Sequence, residues 1–440
     1  MSKTIQINKK IPSFNKKINI DGDKSLSIRW ALLASQASGK SKAYKILKSE
    51  DVLSTLNCLK KLGVKIKLKK EYCEIIGRGL NGYNYKNNIS LNIGNSGTLA
   101  RLILGLLVHS KKKIKLIGDK SASKRDFSRV IHPLKKFGAK FYANKKSTLP
   151  LSIIGSESAK PINYFEFRGS AQCKSSVMLA ALNTPGETTI KAKKSRNHTE
   201  LLYKYLKVPI KIKKTKKFDF IKINGVKKIA PLQYSVPADI SSSAFFIVLT
   251  ALSENSTLII KNVNINPSRI GIIKILKRMG VNISFKNLKK YKGENVAHIV
   301  IKSSKKINAI DCPSSLNSSA IDEFLIIFLV AAKANGISFF KDLSELNQKE
   351  SPRLKWGSKI LNMMGIKTEL TNNSIKIHGQ PNLKISKKII IKNYLKDHRV
   401  FMMSTIAALT CGGNWKIYDK DSINTSFPSF LKIIEEIKRQ

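Results

Sequence analysis

Arginine is scarce in this chain: of 81 basic residues among 440, only twelve are arginine. Acidic residues are few as well, 28 in all, so the formal net charge is +53. A charge of that size first points to nucleic acid or an anionic membrane. The lysines, however, run from Lys3 to Lys438 without forming a stripe, and Asn and Ile are also abundant. That is composition drift on a solvated surface, and no nucleic-acid partner is expected from it. The five cysteines, Cys58, Cys73, Cys173, Cys312 and Cys411, have no C-x-x-C spacing and no histidine in ligand register. This excludes a zinc site and a disulfide framework, and reduced thiols are expected. The longest apolar run, Phe324–Ala332, is far short of the roughly 20 residues of a membrane span. With no apolar leader at the N-terminus, a soluble cytoplasmic protein is expected. Ser-His-Asp spacing and a strand–GxxxxGK[ST]–helix are both missing. Only 13 prolines and 42% hydrophobic residues indicate an ordered protein, long enough for two cores.

One pattern recurs, Leu-x-x-apolar-Gly-apolar, closing a helix and opening a strand. It ends at Gly63-Val64, Gly138-Ala139, Gly280-Val281 and Gly365-Ile366, with a degenerate copy at Lys207-Val208. Glycine takes the left-handed conformation just past a last helical turn. These five positions stand 75, 69, 73 and 85 residues apart, and a C-terminal helix Phe430–Lys438 supplies a sixth unit. Such spacing is too long for a solenoid and predicts six α/β subdomains. Strands are expected at Ile114–Ile117, Leu258–Ile260, Val296–Ile301 and Ile389–Ile391. Helices are expected at Ile28–Ser38, Thr98–His109 and Asp322–Ala332.

Six of the twelve arginines lie inside short polar motifs: Arg29, Arg101, Arg125, Arg196, Arg353 and Arg399. Arginine's planar fork holds carboxylates and phosphates in fixed geometry, where lysine only attracts them. Gly94-Asn95-Ser96-Gly97-Thr98, followed by Arg101, reads as a strand turning into a helix whose N-terminus can hold an anion, with Thr98 able to cap it. In Asp21-Gly22-Asp23-Lys24-Ser25, followed by Arg29, Ser25 and Arg29 share a helix face. Ser170-Ala171-Gln172 follows Gly169 at another helix start. Ser195-Arg196-Asn197-His198-Thr199-Glu200 reads first as a capping box closed by Glu200. Asp322-Glu323 opens an apolar helix, Lys349-Glu350-Ser351-Pro352-Arg353 sets an acid between cations, and Asp397 precedes His398-Arg399 as a helix cap. Read locally, the segment from Lys349 to Arg353 is a surface ion pair.

Taken in order, these segments and Ser426-Phe427-Pro428 resemble the EPSP synthase branch of the enolpyruvyl transferase family over almost the whole chain. The resemblance implies a two-domain inside-out α/β barrel of six βαβαββ repeats. Residues 1–23 plus 239–440 would form one domain and 24–238 the other, with three repeats each. The implied activity is that of a 3-phosphoshikimate 1-carboxyvinyltransferase, which moves the enolpyruvyl group of phosphoenolpyruvate to the 5-hydroxyl of shikimate 3-phosphate. This is a step of the shikimate pathway toward aromatic amino acids. No metal or organic cofactor is implied, nor any partner besides the two substrates, and a monomer is expected. By position, Asp322 is the implied hydroxyl base, Glu350 the proton shuttle, and Lys24 the cation at the departing phosphate. The implied contacts to shikimate 3-phosphate are Lys24, Ser25, Arg29, Ser170, Gln172, Ser195, Asp322 and Lys349. Those to phosphoenolpyruvate are Lys24, Gly97, Arg125, Gln172, Arg353 and Arg399. Lys349 and Arg353 on either side are expected to hold Glu350 ionised when the site is empty, so a protonating role requires substrate charge and closure to raise its pKa. Ile28, Leu325, Pro352, Ala171 and Thr425 depart from the family pattern.

Two rival readings make opposite predictions. The sister enzyme acting on UDP-N-acetylglucosamine carries a reactive cysteine in the loop matching Gly118–Arg129, and this loop has none. An RNA-binding protein on a related fold would show basic residues and aromatics interleaved on one face.

Overall fold

In a computed structural model, residues 3–439 are described. They fall into two units. The first holds the residues up to Asp21, Pro237–Lys290 and those from Asn295 onward; the second holds Gly22–Val236 and the hairpin tip Tyr291–Glu294. Each unit has its own apolar core.

Both cores are built on helices that bury nearly every face. In the first unit these are Ile240–Leu252, Phe324–Ala332 and His398–Cys411, which pack on one another. In the second, Lys24–Gln36 and Ala171–Ala181 both pack on Gly97–Leu106. A helix without a polar face has no stable place except the interior, which is why a sequence such as Phe324–Ala332 ends there. Each buried side chain of this size contributes about 1.5–3 kcal/mol.

Among the described residues there are six sheets, three per unit. The repeat is clearest from Asn163 onward. Strand Asn163–Glu166, helix Ala171–Ala181, strand Glu187–Lys193, helix His198–Tyr205 and strands Ile210–Lys214 and Phe218–Asn224 follow in turn. The first strand runs parallel to the second (Asn163 opposite Thr189), and the closing hairpin is antiparallel. Two sheets take their leading strand from far along the chain. Gln233–Ser235 lies parallel to Ser38–Tyr44, and Asn15–Ile18 lies parallel to Thr257–Asn264. The six-repeat α/β expectation therefore holds, with the repeats permuted along the chain.

The strand alternation leaves one sheet face in water, and lysine occupies it by lying over cross-strand aromatics. Lys191 Nζ sits 5.0 Å from the Phe165 ring and 4.8 Å from that of Phe218, and Lys42 Nζ sits 4.2 Å from that of Tyr72. Pairs of this kind contribute about 0.5–1 kcal/mol at exposed sites. Contacts of this kind recur on separate sheets, with lysine also over Tyr142, Phe285 and Phe339.

The helix-ending glycines behave as their spacing predicts. Gly63, Gly138, Gly280 and Gly365 have φ of 84°, 106°, 89° and 92°. At the degenerate copy Lys207 adopts φ 58°, with Val208 N–H donating to Tyr203 O at 3.0 Å and Lys207 N–H to Lys204 O at 3.1 Å. That double closure holds a residue with a Cβ where it costs roughly 1–2 kcal/mol. Lys207→Gly should therefore raise stability by about 0.5–1 kcal/mol, after the glycine's own entropic cost. Thermal unfolding should show a rise of about 1–3 °C, and an unchanged or lower midpoint would contradict this reading.

Candidate active site

The expected site residues form clusters within each unit. In the first unit the centre is Arg353, the first residue of helix Arg353–Met363. Its side chain is 2% exposed, so it is no surface ion pair. Arg353 Nε donates to Asp397 Oδ2 at 2.8 Å and Nη2 to Asp397 Oδ1 at 3.2 Å. Nη2 also donates to Glu350, and Nη1 lies 3.6 Å from Asp322 Oδ1. Burial opposes the charge on Arg353, but Asp397, Glu350 and Asp322 together hold it ionised. Asp397, wholly buried, would be pushed up by burial alone. Arg353 reverses that and holds it below the usual carboxylate value.

Asp397 has two further partners. It caps helix His398–Cys411 by accepting from Arg399 N–H at 2.9 Å, and it accepts from the Ser351 hydroxyl at 2.9 Å. The cap was legible in the sequence; its role as counter-ion to Arg353 was not. Arg399 in turn donates to Asp322 O at 2.7 Å and to Ser241 Oγ at 2.6 Å. Lys349 Nζ stands 3.1 Å from Asp322 Oδ1, so this lysine serves Asp322, whereas the sequence suggested Glu350. Asp322, Lys349, Glu350, Arg353 and Arg399 thus belong to one network. Glu323, which the sequence placed only at the opening of an apolar helix, is buried within it, accepting from Ser241 Oγ and lying 3.8 Å from Arg399.

The second unit gathers another set around Gly97. Ser96, not Thr98, caps helix Gly97–Leu106, accepting from Leu99 N–H at 3.2 Å. Thr98 instead accepts from Gln172 Nε2 at 2.9 Å, and Gln172 Oε1 accepts from Arg101 at 2.8 Å. Arg125 donates to Asn95 Oδ1 at 2.5 Å. A Cβ on residue 97 would lie 2.6 Å from Arg125 Nη1 and 2.9 Å from Arg101 Nη1. Glycine is therefore what lets two guanidinium groups close on a helix N-terminus, an anion-binding arrangement. Ser170 caps helix Ala171–Ala181 by accepting from Cys173 N–H at 3.2 Å. The loop before it is tied by Glu166, which accepts from the N–H groups of Gly169 at 2.6 Å and Ser170 at 2.8 Å.

Arg29, also buried, donates from Nε to Thr199 Oγ1 at 2.9 Å, from Nη2 to Ser175 Oγ at 3.2 Å, and from Nη1 to Ser25 O at 3.2 Å. Lys24 pairs with Asp51 at 3.1 Å. Asp23 caps this helix through Leu26 N–H, so it begins at Lys24, earlier than its apolar spacing suggested. The Ser195 hydroxyl is buried without a hydrogen-bond partner among the described residues. The expected capping box is not formed. Asn197 makes no side-chain cap, and Glu200 pairs with buried Lys174 at 2.6 Å.

The family model described as EPSP synthase (3-phosphoshikimate 1-carboxyvinyltransferase) matches residues 9–434. The chain belongs to the EPSP synthase family. It is 40% identical over 421 residues to the 3-phosphoshikimate 1-carboxyvinyltransferase of Ruthia magnifica subsp. Calyptogena magnifica, covering 96% of this chain and 94% of that protein. It is 39% identical to that of Thermoanaerobacter sp. (strain X514), covering 95% and 96%. The solved EPSP synthase from Acinetobacter baumannii aligns with a TM-score of 0.86 and 33% identity, over 99% of this chain and 98% of that one. The enolpyruvyl transferase NikO from Streptomyces tendae, at 12% identity and a TM-score of 0.77 over 99% and 98%, shares the fold.

Among the described residues of this EPSP synthase family member, no helix is long and apolar enough to cross a membrane. All five cysteines are buried. Burial pushes the thiols of Cys58 and Cys73 up to about 12 and that of Cys312 up to about 11, and raises those of Cys173 and Cys411. None of them is a poised thiolate.

Removing Asp397's charge leaves the Arg353 guanidinium buried without its main counter-ion. Asp397→Asn should therefore cost about 3–5 kcal/mol of unfolding free energy. Since the folded protein holds this carboxyl below its ordinary value, its contribution is complete above about pH 4. It is lost as pH falls through the lower folded value. Urea unfolding from pH 7 to pH 3 should show a shallower acid loss in Asp397→Asn than in the parent. Parallel curves would contradict the assignment.

Proposed function

We propose that the chain transfers the enolpyruvyl group of phosphoenolpyruvate to the 5-hydroxyl of shikimate 3-phosphate, releasing phosphate. The observation that carries this is the pair of acids, Asp322 and Glu350, held on one buried guanidinium in a chain of the EPSP synthase family. Residues 1–23 plus 239–440 and 24–238 are taken as its domains, a reading supported by the division of the chain at Asp21/Gly22 and Val236/Pro237.

The reaction needs a proton delivered to the methylene carbon of phosphoenolpyruvate and a proton removed from the attacking hydroxyl. A C–O bond then joins the two substrates in a tetrahedral adduct, which collapses as its C–O bond to phosphate breaks and its new methyl group gives up a proton, restoring the carbon–carbon double bond. Asp322, partly exposed and steadied by Lys349, takes the hydroxyl proton. Glu350, protonated once the bound substrates' negative charge disfavours its ionised form, delivers the proton to carbon and takes it back at collapse, and Lys24 neutralises charge on the departing phosphate. Shikimate 3-phosphate is held by Lys24, Ser25, Arg29, Ser170, Gln172, Ser195, Asp322 and Lys349. Phosphoenolpyruvate is held by Lys24, Gly97, Arg125, Gln172, Arg353 and Arg399. Two substrates rich in phosphate and carboxylate suit donors fixed in plane, which the arginine contacts supply. The buried thiols with raised pKa values, and a loop Gly118–Arg129 without cysteine, disfavour the UDP-N-acetylglucosamine reading. The dispersal of lysine over separate sheets disfavours the RNA-binding one.

Phosphate release should require both substrates together; release from phosphoenolpyruvate alone would refute the transfer. Glu350→Gln should lower kcat by about a hundredfold, and undiminished turnover would remove its proton-carrying role. Gly97→Ala puts a methyl group against Arg125 and Arg101 and should raise KM for phosphoenolpyruvate roughly tenfold. An unchanged KM would separate Gly97 from that substrate.

A further inference from the structure

The helix start Asn197–Glu200 is unusual in that three consecutive side chains, His198, Thr199 and Glu200, are buried and each has a polar partner outside its own helix. His198 Nδ1 and Glu294 Oε1 lie 2.6 Å apart. Glu200 pairs with Lys174 at 2.6 Å. Between them, Thr199 Oγ1 accepts from Arg29 Nε at 2.9 Å and lies 2.8 Å from Ser175 Oγ, which itself accepts from Arg29 Nη2 at 3.2 Å. Two hydroxyls in mutual contact thus brace one edge of the Arg29 guanidinium, while Ser25 O takes Nη1 at 3.2 Å. The backbone carrying Thr199 is in turn fixed on both sides by neighbours whose side chains are tied to other elements. A guanidinium on a flexible stem recognises an anion through its plane, so whatever sets the plane sets the recognition.

We propose that Thr199, seconded by Ser175, is a positioning residue that orients Arg29 toward the anionic groups of shikimate 3-phosphate. This rests on the functional reading above, in which Arg29 contacts that substrate, and it adds two residues to which the motifs assigned no role. Thr199 does not itself touch the substrate. Its effect is therefore confined to the recognition of one substrate and leaves the proton transfers alone.

Steady-state kinetics of Thr199→Val and Thr199→Ser, read beside the parent chain, test this. Valine keeps the shape and removes the acceptor, so KM for shikimate 3-phosphate should rise about tenfold, as expected for one lost hydrogen bond to a charged group. Meanwhile kcat and KM for phosphoenolpyruvate should stay within about twofold, since neither involves Arg29. Thr199→Ser should restore the parent KM. If Thr199→Val does not fold, Ser175→Ala carries the test, with the same selective rise in a single KM. A KM for shikimate 3-phosphate unchanged in the folded variant would overturn the proposal. So would a parallel loss of kcat, both KM values and unfolding temperature in the valine and serine forms alike. A parent chain that releases no phosphate from the two substrates would sink the functional reading and this role with it. Parent turnover with an unmoved KM in the variants would sink the positioning role alone.

Discussion

A guanidinium buried among fixed oxygen atoms keeps both its charge and its plane, and the proposed chemistry of this protein depends on that constraint. Arg353 meets it with carboxylates and Arg29 with hydroxyls and a backbone carbonyl. Such sites are costly to assemble, because a charge taken from water must be matched by partners in good geometry. The chain concentrates that cost in a few arginines. Apart from buried Lys174, most lysines remain in solvent or over exposed rings, where they contribute modest sheet stability. The +53 charge and the site are thus separate features, and the first says little about the second.

The site and the fold are linked through helix beginnings. Asp23, Ser96, Ser170 and Asp397 each cap a buried helix, and residues proposed to contact substrate lie within about a turn of those caps, at Lys24, Gly97, Gln172 and Arg399. Burying a helix without a polar face aims its N-terminus and fixes the residues of its first turn. Side chains placed this way are less mobile than loop residues would be, which suits a reaction that needs two protons moved at defined atoms.

Much of the architecture could be read from the sequence, because its signals are local. The left-handed glycines, the strand Ile114–Ile117 and the helix Phe430–Lys438 follow from steric rules and periodicity within short windows. What could not be read is long-range. The parallel pairing of Gln233–Ser235 with Ser38–Tyr44 joins segments nearly half the chain apart. The capping box expected at Ser195–Glu200 failed because Lys174, buried nearby, claimed Glu200. Thr98 likewise gave up the cap to Ser96 and took Gln172. In the site, the acids and arginines were visible as motifs, but their partners were not. Asp397 looked like a cap and is also the main counter-ion of Arg353. Thr199 looked like an ordinary helix residue.

Charge and geometry can be separated by one substitution that preserves the first and removes the second. Arg29→Lys leaves the net charge at +53 while replacing the braced fork with a mobile ammonium. Calorimetric titration of shikimate 3-phosphate into the parent and this variant at equal salt measures the difference directly. Affinity weaker by at least about tenfold in the variant is the result predicted for recognition through a fixed plane. Equal affinity would mean that positive charge alone holds the substrate, and would contradict the account.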